Sequence, residues 1–274
     1  MNQRNSRSLA GCGLILAAGL IWCRDLGWVS EPADTLPLLA GIPLAWWLGR
    51  SWVPLTNPDF RGKTLPLLAA AFAFAAGWMV SNLTLLAMAW TALAWCWVTI
   101  FHQPREGRGR VVFLLALAFP WMVLEWQHVG WWFRLSSASA AEEFFHLLRM
   151  PVIREGVRLN VMGVPIHVEA ACAGWNLLQL TLLAGVAMGI REMKSNGRFI
   201  VFICLLPALS WIANFIRILA LTAIALSFDV QAADGAFHGV TGLLVIFAVI
   251  AMTRLLCMLI DPPVASTSRI VHAS

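Results

Sequence analysis

Three side chains in this sequence have the types that acyl transfer needs: the thiol of Cys172 in AACAG, the guanidinium of Arg217 in ANFIRIL and the imidazole of His238 in FHGVTG. A cationic neighbourhood lowers a thiol pKa from about 8.5 into the range of roughly 3.5 to 7.5, which makes cysteine a nucleophile. An imidazole can shuttle the proton. A guanidinium can hold the thiolate or the developing oxyanion, a role in which loss of one donor costs about 2.7 to 4 kcal/mol. Each residue also has a plain reading: an inert thiol at a helix start, a solvated interfacial histidine, and an arginine that snorkels to lipid phosphate. The other cysteines lie in apolar runs (Cys12, Cys96, Cys204, Cys257) or near the end of one (Cys23), with no CxxC pair, so neither a disulfide framework nor a zinc site is indicated. There is no HExxH, and Glu142 and Glu143 are followed by Leu147 where an EExxxR pattern needs arginine. No metal or cofactor is expected.

The elements that must position these residues are membrane helices. Hydrophobic residues make up 60% of 274 positions and charged residues 12%, far from the globular mix, and a bilayer core about 30 Å thick takes roughly 20 apolar helical residues to cross. Such runs recur near Leu9 to Trp28, Thr35 to Val53, Thr64 to Val80, Leu83 to Phe101, Val111 to Phe133, Ala171 to Ile190, Phe199 to Leu226 and Phe237 to Ile260. The expected fold is therefore all-α and polytopic, one integral membrane domain over residues 1–274 with about eight transmembrane helices. Ser81 and Asn82 break the third and fourth runs and predict a tight hairpin. Tryptophan is abundant (15) and tyrosine absent (0), with Trp28, Trp52, Trp131 and Trp132 near run ends as interfacial anchors.

With a cytoplasmic amino terminus, alternate loops carry Arg50, Arg61 and Lys63, then Arg105, Arg108 and Arg110, then Arg191, Lys194 and Arg198. The opposite loops hold Asp25, Glu31 and Asp34, the Ser81 turn, the long segment 134–170, and Asp229 with Asp234. The positive-inside rule fits an even count with both ends cytoplasmic, and the net charge of +5 reports orientation in a membrane and not nucleic-acid binding. The same count brings Cys172, Arg217 and His238 to the outer face, with Asn214 one turn from Arg217 on the same side of its helix. An Arg at the middle of a span costs roughly 2.5 to 3.5 kcal/mol, so Arg217 calls for a partner or a task.

Within the outward segment, GVRLNVMGVPIHVEA alternates as a β-hairpin turning at Gly163 and Pro165, and AAEEFFHLLRM has a helical apolar stripe suited to an interface. Glu169, three residues before Cys172, is either an exposed loop acid or a carboxylate that orients His238 or binds a basic group. Glu125 and His128 sit three apart in the fifth run, either as an interfacial hydrogen-bonded pair or facing a cleft that takes part of a substrate.

The strings GVPIHVEAACAGWNLLQL, ANFIRIL and FHGVTGLLVIF resemble the three signature blocks of the exosortase/archaeosortase family, in matching order, over roughly Gly156 to Ile250. The resemblance implies a membrane cysteine transpeptidase-like enzyme with a catalytic core at about 156–250, in which Cys172 is the nucleophile, Arg217 the arginine of an N-x-x-R block opened by Asn214, and His238 the histidine of the last helix. It further implies exported protein partners with a carboxy-terminal sorting signal of the PEP-CTERM type. Such a signal is a short motif such as Pro-Glu-Pro, a transmembrane helix and a basic cluster, and it is cleaved through a thioacyl intermediate. The expected setting is a bacterial inner membrane, with the site on the periplasmic face. The chain departs from many family members after the nucleophile, carrying Ala173, Gly174, Trp175 and Asn176 where Ser-Gly and then Ile-Arg are common. The competing reading is a polytopic transporter or a lipid- or anion-binding protein using Arg217 and Asn214; no inverted repeat speaks for it.

Overall fold

The computed structural model describes residues 3–29, 32–50, 52–167, 175–228 and 236–262. The first four apolar runs form α1 (Gln3–Arg24), α2 (Pro32–Gly49), α3 (Thr64–Met79) and α4 (Leu83–Phe101). The hairpin between α3 and α4 closes as its residues predict. Ser81 takes a left-handed φ of 58°, the Asn82 amide donates to the Gly77 carbonyl at 3.1 Å, and the Asn82 side chain accepts from the Leu85 amide at 2.7 Å. One asparagine thus closes the end of one helix and caps the start of the next. Gly77 lets the helices touch, since a Cβ there would stand 3.2 Å from the Leu86 amide.

The fifth run, expected as one helix over Val111 to Phe133, is broken. The chain forms α5 (Arg108–Leu117), α6 (Trp121–Glu125) and α7 (Gln127–Leu147). Pro120 is the cause of the break between α5 and α6: it has no amide proton and its ring clashes with the carbonyl four residues back, and the residue before a proline is disfavoured in the helical region. The carbonyls released by the break find side-chain donors, Ala116 from Trp121 Nε1 at 2.9 Å and Leu117 from Gln179 Nε2 at 3.0 Å. The predicted interfacial helix over 140–150 is not a separate element; its residues extend α7, whose buried side carries Ala138, Ala141 and Phe145.

After α7 comes a three-stranded antiparallel sheet, β1 (Val152–Glu155), β2 (Arg158–Val161) and β3 (Val164–His167), in that order. The predicted hairpin is β2 and β3; β1 is an addition that sequence alternation did not reveal. The turn lies at Met162 and Gly163, both with positive φ (54° and 86°), the backbone that a two-residue hairpin loop requires, so Pro165 falls inside β3 opposite Asn160. Val152, Leu159 and Val161 pack on Ala138, Ala141 and Phe145 of α7 and on Ile218 and Leu221. The Arg154–Glu142 ion pair, 2.6 Å, ties the sheet to α7.

The remaining helices are α8 (Trp175–Glu192), α9 (Asn196–Ser227) and α10 (Ala236–Ile260). α9 packs antiparallel to both α8 and α10, and small residues bring α8 and α9 close: a Cβ at Gly185 would collide with Leu206, and one at Gly189 would stand 2.7 Å from the Phe199 ring. The predicted basic loops gather at one end of this bundle. Arg110 donates to the carbonyls of Gly189 and Met193 (3.0 and 2.6 Å) and to Asn196 Oδ1, closing the carboxyl end of α8 with a cation where the helix dipole favours one. Asp261 accepts from Arg198 at 2.6 Å and from the Lys194 amide at 3.1 Å. At the end of α4, the Trp97 indole donates to the Arg7 carbonyl and Leu55 donates to Phe101. Among the described residues four helices are long and apolar enough to cross a membrane: Asn5–Arg24, Leu83–Phe101, Asn196–Ser227 and Phe237–Ile260. Leu38–Gly49 and Thr64–Met79 are apolar and shorter.

Candidate active site

Arg217 and His238 meet. A guanidinium nitrogen, Nη2, lies 3.1 Å from His238 Nε2, joining α9 to the first turn of α10. Arginine has only donors, so as a hydrogen bond this contact uses the lone pair of Nε2. Gly242, one turn after His238, forms the seat for the guanidinium: a Cβ there would stand 3.2 Å from Nη2. Thr241 bonds the Phe237 carbonyl at 2.7 Å and that of His238 at 3.1 Å, holding the turn that presents the ring.

The depth of this contact follows from helix geometry. From Arg198, paired with Asp261 at the basic end, to Arg217 is about 28 Å at 1.5 Å per residue, close to the roughly 30 Å of a hydrocarbon core. The contact therefore lies about one hydrocarbon thickness from the basic end, and the last turns of α9 stand beyond it against the sheet. Gly185 faces Leu206 and Gly189 faces Phe199, so α8 runs antiparallel to α9. The amino end of α8, at Trp175, therefore lies toward the carboxyl half of α9, the half that carries Asn214 and Arg217.

Asn214 is fully buried, and among the described residues neither its Nδ2 nor its Oδ1 has a hydrogen-bond partner. An unmet buried polar group costs about 1 to 3 kcal/mol. Both ends of this carboxamide are unmet. Ser210, one turn earlier, is also fully buried, so a polar stripe of Ser210, Asn214 and Arg217 runs up the inward side of α9.

Cys172 and Glu169 lie outside the described residues. Their flanks are described: β3 ends at His167 and α8 begins at Trp175. Glu125 and His128 stand elsewhere. The Glu125 carboxylate accepts from the Leu83 amide, from the Thr84 amide at 2.7 Å and from the Thr84 hydroxyl at 2.5 Å, at the amino end of α4. A carboxylate there meets the free amides and the positive end of the helix dipole. His128 stacks on Trp126 at 6.2 Å, and the Trp126 indole donates to the Thr84 hydroxyl at 3.0 Å. No hydrogen bond or ion pair links Glu125 or His128 to Arg217 or His238 among the described residues.

Gly242 was not singled out by its type or spacing. Its signal is a glycine one turn past a helix-opening histidine, inside a helix where alanine would be more stable. Among the described residues no group of three or more His, Cys, Asp or Glu side chains could hold a metal ion.

Compared with known proteins, the chain matches a family model described as transmembrane exosortase over residues 2–256. No curated protein and no solved structure matches it.

Proposed function

Because the chain belongs to the transmembrane exosortase family, we propose that it is a cysteine transpeptidase that cleaves carboxy-terminal sorting signals of exported proteins and passes the new terminus to an acceptor. Its setting is a bacterial inner membrane, crossed about eight times. The basic loops and both termini face the cytoplasm, and the reacting groups face the periplasm. The substrate carries a short motif of the Pro-Glu-Pro type, then a transmembrane helix, then a basic cluster.

The observation that carries the reading is the 3.1 Å contact of Arg217 Nη2 with His238 Nε2. In the proposed sequence, His238 accepts the Cys172 proton at Nε2 and the thiolate attacks the scissile carbonyl. Once Nε2 is protonated it faces Arg217 as a second donor, and two donors cannot share the contact. Arg217 is then released to hold the negative charge on the tetrahedral oxygen. Collapse expels the amine of the downstream segment, which takes its proton from His238, and leaves a thioester on Cys172. An acceptor amine or water, deprotonated by His238, attacks the thioester and returns the thiol. Glu169 stands close enough in sequence to Cys172 to orient His238 or to bind a basic group of the substrate.

The test is processing of a co-expressed protein bearing such a signal. The Cys172→Ala variant is expected to reside in the membrane and to leave the substrate uncleaved. Wild-type cleavage by that variant overturns the reading.

A further inference from the structure

The buried carboxamide of Asn214 has no hydrogen-bond partner among the described residues. It is 0% exposed, its donor and its acceptor are both unmet among the described residues, and it stands one turn from Arg217 on the same side of α9. A purely structural asparagine in an apolar helix bundle would be bonded, because lipid and packed side chains offer no water to replace the missing partner. The partner therefore arrives from outside, and it must offer one acceptor and one donor together.

A substrate segment in extended conformation has that pattern. The N–H and C=O of a single residue point to the same side of an extended chain, as they do when strands exchange a pair of hydrogen bonds. A sorting signal continuous with a transmembrane helix must unwind to expose its scissile carbonyl, and unwinding frees peptide groups that need new partners at membrane depth. The geometry points to Asn214 as the residue that holds the main chain of one unwound substrate residue, its Oδ1 accepting that residue's N–H and its Nδ2 donating to that residue's C=O. This rests on the sorting-enzyme reading and adds to it a subsite of stated chemistry: an extended, non-proline residue, recognised by backbone and not by side chain. Proline fails there because it has no N–H.

The experiment is a backbone scan with the full-length enzyme in nanodiscs. The probe is a synthetic peptide with a Pro-Glu-Pro motif, a transmembrane helix and terminal arginines, made as a series in which one N–H at a time is replaced by an ester oxygen. One position is expected to lose about 10- to 100-fold in cleavage rate with the wild type. In Asn214→Ala, whose cleavage of the all-amide peptide is already reduced by a similar factor, that ester penalty vanishes. Thermal stability of Asn214→Ala and Asn214→Leu is expected to equal or exceed wild type, since no internal bond is lost; a structural role would lower it. Wild-type cleavage by Asn214→Ala, or an ester penalty equal in both enzymes at every position, overturns the assignment. Cleavage of the same peptide by Cys172→Ala would instead remove the thioacyl reading, and the ester coupling would still score Asn214.

Discussion

Gly242 offers a graded test of the Arg217–His238 contact, because it touches the guanidinium and carries no chemistry of its own. In Gly242→Ala the new Cβ stands 3.2 Å from Arg217 Nη2, a few tenths of an ångström inside ordinary van der Waals contact, and the flexible end of an arginine can give by that much. Gly242→Val adds a second carbon layer and moves the nitrogen by about 1 Å, which takes a contact of 3.1 Å beyond hydrogen-bond reach. The displacement matters because the same guanidinium is the proposed donor to the oxyanion, and loss of one such donor costs about 2.7 to 4 kcal/mol, equivalent to roughly 100- to 1000-fold in rate when complete. The expected series is therefore a loss below about 10-fold for alanine and one of about 100-fold for valine. Helix propensity does not oppose either change, since both residues favour a helix more than glycine does. The assay is kcat/KM for cleavage of a sorting-signal peptide, with expression level and Tm as controls. If Gly242→Val cleaves at the wild-type rate while folded, the contact has no part in the reaction.

Glu125→Ala removes the carboxylate that accepts the Leu83 and Thr84 amides at the start of α4; it is expected to lower stability by about 1 to 2 kcal/mol in a detergent unfolding measurement. A pH effect is expected at His102, just past α4. Its ring is buried between Trp52 and Trp97, and burial, reinforced by Arg7 and Arg108, holds its pKa below the ordinary 6.5. The unfolded chain then takes up the proton first, so this stabilisation is complete above about pH 6.5 and declines below it, and Tm should fall between about pH 7 and 5 in the wild type and less in His102→Gln.

Several parts of this structure are legible in the residues because their causes are local. Ser81 and Asn82 are a turn and a cap within a few residues of each other, and the alternation around Gly163 needs only its own strand and the next. The level of Arg217 follows from counting along one helix. Other features depend on partners distant in sequence. Pro120 announces a break, yet whether the run bends or stops depends on Trp121 and on Gln179, which supply the donors for the released carbonyls. β1 is bracketed by Pro151 and by Gly156, yet four residues are too few for alternation to mark a strand; its packing on α7 and its ladder with β2 define it. Glu125 reads as a membrane carboxylate near a histidine, and only the approach of α4 gives it three donors. Asn214 is visible as a polar residue in an apolar run, but its unmet donor and acceptor are properties of the packed bundle.

The most direct measurement on the central claim is an acid quench of the enzyme during turnover of a sorting-signal peptide, followed by mass spectrometry of the membrane protein. The account predicts a covalent adduct with the mass of the upstream peptide fragment, confined to the segment containing Cys172, released by hydroxylamine and absent in Cys172→Ala. Turnover at full rate with no adduct on Cys172, or an adduct on another residue, would contradict it.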